Sequence, residues 1–168
     1  MEEGIHRLMN DLTRTRMTEI WEKARERNYD DLDDEAQRIA KIMLEHEEEL
    51  YNQFEHPEFT YDPESDEAAD YDPFLHITIH TAVEAQLEQN DPLEVVGFYN
   101  AMRQKRYSHH DCIHLIGQIL TCLIYDMTEN RKPFDLSTYR KLLEKYKSRD
   151  PQKLMELLES EPLLADAE

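Results

Sequence analysis

Residues 108–129, SHHDCIHLIGQILTCLIYDMTE, decide the fold. Ser108 followed by Asp111 resembles a capping box, with Asp in place of the usual Glu. Behind it come Ile113, Leu115, Ile116, Ile119, Leu120, Leu123 and Ile124, with no proline and no period-two alternation. The run is longer than a strand and apolar nearly all round, so it predicts a helix buried on every side. Such a helix needs other helices around it, which predicts a bundle.

The flanking sequence supplies them. Asp72-Pro73, Asp91-Pro92 and Asp150-Pro151 each place an acceptor at an N-cap and a proline at the first helical position. Asp135 caps a further start. Helices are expected over about 73–89, 92–105, 108–129, 135–147 and 151–160. A helix over about 34–54 places Ile39, Ile42, Met43, His46 and Leu50 on its apolar face. Residues 1–27 place Ile5, Leu8, Met9, Leu12, Ile20 and Ala24 mostly on one face, with Trp21 beside it. The expectation is an all-α helical bundle of about six to seven helices around a buried central helix. An N-terminal amphipathic helix (1–30) precedes a single bundle domain (31–168). Residues 55–72, with eight acids and no Lys or Arg, read as an acidic loop. Asp62, Glu64 and Asp66 alternate as in a calcium loop. Glu67 stands where such a loop needs Gly, however, and Pro73 where it needs Glu.

Composition narrows the function classes. The 168 residues carry 38 acids against 19 Lys and Arg, a net charge of −19. That opposes binding to a phosphate backbone or an anionic membrane. No apolar run approaches a membrane span, and the first residues do not resemble a signal peptide. Cys112 and Cys122 lie in one helical run, about 15 Å apart along its axis, and cannot bridge. A cytoplasmic protein is expected. The first helix could dock its apolar face on the bundle or on a second copy of the chain, so a homo-oligomer is one option; the sequence identifies no protein partner.

Histidines are the main functional signal. Five of the eight fall between 76 and 114. His76 and His80 are four apart, as are His110 and His114, and such pairs share one helix face about 6 Å apart. Both imidazoles of a pair can reach one cation. On its helix the first pair falls in the middle of the apolar face. The second forms a stripe with Gly117 and Thr121 on an otherwise apolar helix. His46 joins them from the earlier helix. Buried imidazoles need partners for their ring nitrogens, and a transition metal satisfies several at once. The candidate metal ligands are therefore His76, His80, His110 and His114, with Glu84 and His46 in support. Imidazole-rich ligation favours a transition metal, zinc or iron, and two ions are compatible with it. Asp111 reads as a helix cap or a group supporting the ligands, His56 and His109 as surface or loop residues, and both cysteines as core.

The region from about 72 to 140 resembles an uncharacterised bacterial family, the domain of unknown function family 1841. The likeness lies in Asp72-Pro73, His76, His80, Val83-Glu84, Gln86-Leu87, Asp91-Pro92, Glu94-Val95, Tyr107, His110-Asp111, His114, Pro133-Phe134-Asp135 and Tyr139. Ile42-Met43-Leu44-Glu45-His46 is similar to its N-terminal part. Arg106 stands where the family has a Gly before the tyrosine, and Asp111 where it has mostly Glu. The first 30 or so residues lie outside the likeness. The resemblance implies a bacterial helical protein, groups the histidines as a unit, and implies no chemistry.

The leading expectation is a metal-binding bundle with a His-rich, mono- or dinuclear core site. The alternative is a non-catalytic acidic interaction module, with a structural metal or none. A metal-dependent phosphohydrolase of the HD type, read from His110-Asp111, ranks third, because few basic residues lie near that pair to hold a phosphate.

Overall fold

The computed structural model describes residues 2–59 and 72–160; for 2–12, 59 and 160 the backbone alone is described. Among these residues there are eight α-helices and no strand: α1 (Glu2–Arg25), α2 (Asp34–Glu45), α3 (Glu47–Glu55), α4 (Pro73–Gln89), α5 (Leu93–Gln104), α6 (His109–Glu129), α7 (Leu136–Tyr146) and α8 (Pro151–Ser160). A 3₁₀ turn, Pro57–Phe59, follows α3. The all-α expectation holds, with slightly more helices. Most of the acidic loop, including Asp62, Glu64, Asp66 and Glu67, lies outside the described residues. No described helix is long and apolar enough to cross a membrane.

The additional helix arises at His46. A single helix was expected over 34–54, yet the chain breaks there, with His46 at φ −102° and ψ 8°. Its N–H is shared between the carbonyls of Ile42 and Met43, each at 3.2 Å, and its own carbonyl accepts from Leu50 at 2.9 Å. The local charge explains the restart. Glu47, Glu48 and Glu49 become the first turn of a new helix, where the dipole favours carboxylates.

Helix starts follow the caps, with one exception. Asp72 Oδ1 accepts from Phe74 N at 2.9 Å, Ser108 Oγ from Asp111 N at 3.1 Å, Asp135 Oδ1 from Thr138 N at 3.0 Å, and Asp150 Oδ1 from Lys153 N at 3.1 Å. Asp91 makes no such cap. Pro92 itself takes the N-cap position with extended backbone, and α5 begins at Leu93. Four helix ends, those of α1, α4, α5 and α6, share one device: Arg27, Asn90, Arg106 and Arg131 all have positive φ. At Arg106 (φ 67°), the next residue's N–H reaches back to Met102 O at 3.2 Å, closing a Schellman turn.

Two compact units divide the chain, residues 1–81 and 82–168. In the first, α1 packs on α2 and α3. Its core holds Met17, Ile20, Trp21, Ile39, Ile42, Met43, Leu50, Phe54, Phe74 and Ile77. Trp21 sits on Phe54, ring centroids 5.0 Å apart. Its indole N–H donates to Glu55 Oε1 at 2.8 Å, a carboxylate that Arg25 also holds. In the second, α6 is the hub, contacting α5, α7 and α8. Cys112, Ile113, Leu115, Ile116, Gly117, Ile119, Leu120 and Leu123 are buried there, as the reading of residues 108–129 requires. Tyr139 is buried on α7 and donates its hydroxyl to Gln86 at 2.8 Å. Burial pushes its phenol well above the ordinary tyrosine range, the bond to Gln86 opposing only in part.

Candidate metal centre

In the first unit three imidazoles pack together. His76 and His80 lie one turn apart on α4, with ring centroids separated by 4.7 Å. The His46 ring stands edge-on to both, at 4.9 Å from His76 and 4.5 Å from His80. His46 and His80 are 2% and 4% exposed, and His76 is half-buried. The joint at His46 explains its aim. Its Nδ1 lies 2.8 Å from Ile42 O. A carbonyl only accepts, so Nδ1 carries the proton and Nε2 presents a lone pair. His76 Nε2 lies 3.1 Å from that lone pair, and one proton joins the two nitrogens. Fixing one ring nitrogen on a carbonyl is how metal-binding histidines are held in a single tautomer.

In the second unit His110 and His114, in the first two turns of α6, lie with ring centroids 4.3 Å apart. Both are half-buried. The donor nitrogens of His46 and His80 lie within 4.8 Å of each other, and so do those of His110 and His114, so each pair could supply two of the donors that an ion needs.

The other expected residues have separate duties. Glu84, half-buried on α4, accepts from His109 Nε2 at 2.7 Å. The other nitrogen of His109 lies 2.9 Å from the hydroxyl of Tyr99. Asp111 lies in the first turn of α6 and supports its cap, Oδ2 accepting from the capping Ser108 Oγ at 2.5 Å. Cys112 is buried and Cys122 half-buried, and burial raises both thiols. His56 is exposed beside Glu58, at 3.6 Å. The pairing of His109 with both Glu84 and Tyr99 had no sequence signal, since these residues come from three elements with no common spacing.

These features define a class: an all-helical protein with imidazole clusters able to hold a metal ion. The chain belongs to the family described as Domain of unknown function (DUF1841), whose pattern matches residues 9–145. The match reaches further towards the N-terminus than the sequence likeness, taking in most of α1. No curated protein and no solved structure matches the chain.

Proposed function

We propose that this chain is a metal-binding helical protein. It takes transition-metal ions, zinc or iron, through the imidazoles of His46, His76 and His80 in the first unit and those of His110 and His114 in the second. The observation that carries the proposal is the 3.1 Å approach of His46 Nε2 to His76 Nε2, with His46 Nδ1 committed to Ile42 O. Two nitrogens bound at ~2.0–2.1 Å to a tetrahedral zinc lie about 3.3 Å apart. The pair is therefore already spaced as two ligands of one ion, and the ion would take the place of the shared proton. A buried site with nitrogen donors suits zinc or iron better than magnesium or calcium, which prefer oxygen. Glu84 enters as support. It holds His109, the residue before His110, and does not spend its carboxylate on a ligand imidazole.

The phosphohydrolase reading draws no support from Asp111, whose carboxylate faces its own helix cap. No reaction is assigned to the metal. The test is elemental analysis of untagged protein before and after chelation, for wild type and for a double variant, His76→Ala with His110→Ala. Loss of metal in the double variant supports the ligand set. Full metal content in it shows that other residues bind the ion.

A further inference from the structure

The second unit holds another constellation, which shares Glu84 with the expected metal site but uses none of its histidines. Tyr99 on α5, His109 at the first turn of α6, and Glu84 on α4 form one chain of hydrogen bonds. Glu84 Oε1 lies 2.7 Å from His109 Nε2, and His109 Nδ1 lies 2.9 Å from Tyr99 Oη. The carboxylate only accepts, so Nε2 carries the ring proton. In the neutral imidazole Nδ1 is then a lone pair, and the Tyr99 hydroxyl donates to it. The rings stand edge to face, centroids 5.7 Å apart at 73°, which keeps the hydroxyl aligned with the nitrogen. The order hydroxyl, imidazole, carboxylate is that of a nucleophile, its base and the group that orients the base.

We propose that Tyr99 is a nucleophilic phenol served by His109 as general base, and that this site accepts acyl groups from activated esters. In the step, Tyr99 Oη attacks the ester carbonyl and its proton passes to His109 Nδ1. An O–C bond to Tyr99 forms, the C–O bond to the leaving alcohol breaks, and His109 returns the proton to the leaving oxygen. Electrons and protons balance without a cofactor, so the proposal does not rest on the metal reading. The site is open to reagents: the His109 side chain is 47% exposed and that of Glu84 24%. Tyr125 serves as an internal control, since it is 65% exposed and thus more accessible than the half-buried Tyr99.

The experiment treats the full chain with p-nitrophenyl acetate and maps stable O-acetyl tyrosine by peptide mass spectrometry over time. The expected result is acetylation of Tyr99 at least ~10-fold faster than of Tyr125, well inside the ~100-fold or more that general-base assistance brings. His109→Gln, at an exposed position, and the isosteric Glu84→Gln, at a half-buried one, should reduce that ratio towards or below one. Circular dichroism confirms that each variant is folded. Tyr125 labelling ahead of Tyr99, or an unchanged ratio in His109→Gln, overturns the proposal.

Discussion

His46 Nε2 and His76 Nε2 face each other at 3.1 Å, though they lie thirty residues apart, one at the joint of α2 and α3 and the other on α4. The contact exists because the chain breaks at His46 and because Ile42 O takes the other ring nitrogen. It turns a side chain that a continuous helix would merely have buried into an oriented donor. The first prediction follows from this asymmetry. His46→Ala should weaken zinc binding by at least ~10–100-fold, since it removes a donor held in one tautomer. His46→Gln should not restore it, because an amide does not supply the imidazole nitrogen. Competition with a chromophoric chelator measures both. Equal affinity in wild type and His46→Ala would remove His46 from the site.

Arg106 occupies a left-handed backbone position at the end of α5, φ 67°. A side chain there costs about 1 kcal/mol or more. Glycine removes that cost but adds unfolded-chain entropy of about 0.5–1 kcal/mol. Arg106→Gly should therefore be neutral to stabilising, by up to about 1 kcal/mol in urea unfolding. A loss of stability would mean that the Arg106 side chain makes a compensating contact. This position is also where the family likeness places a Gly, and the turn geometry supplies the reason.

Tyr139 gives a pH prediction. Its phenol is raised by burial, so the folded chain holds that proton to higher pH than the unfolded chain, which releases it near pH ~10. Above that pH the unfolded state binds fewer protons, and stability falls as pH rises. Tyr139→Phe should cost about 1 kcal/mol at neutral pH through the lost bond to Gln86, and should flatten the decline above pH ~10. Chemical denaturation at neutral and alkaline pH reads both effects. An unchanged alkaline slope would show that other groups govern it.

Trp21 anchors α1 to the first unit through Phe54 and Glu55. Trp21→Ala should cost about 3–5 kcal/mol. Glu55→Gln should cost far less, because the amide oxygen still accepts from the indole. Thermal unfolding separates the two. A small loss in Trp21→Ala would mean that α1 contributes little to the core of that unit.

Much of the fold was legible because helix signals are local. Four of the five caps lie where Asp72, Ser108, Asp135 and Asp150 put them, and the apolar surround of residues 108–129 marked α6 as the hub. The two misjudged starts have physical causes. Pro92 took the cap from Asp91, and three successive glutamates at 47–49 began a new helix where one continuous stretch was expected. The i,i+4 spacing identified both histidine pairs, because partners on one helix face are visible in one stretch of sequence. His46 had no such partner; its place between His76 and His80 depends on how α2 and α3 meet α4. The relay of Glu84, His109 and Tyr99 was invisible for the same reason. Periodicity reads one helix at a time, and this contact joins three.

The most direct test of the central claim is thermal unfolding of chelated, metal-free protein with and without added zinc. An ion bound only by the folded state stabilises it by about 4 kcal/mol at a thousandfold excess over Kd. The account predicts an upward shift of the transition with zinc, lost in His46→Ala with His80→Ala. A wild-type transition that does not move with zinc or ferrous iron, in protein that carries no metal when purified, would contradict it.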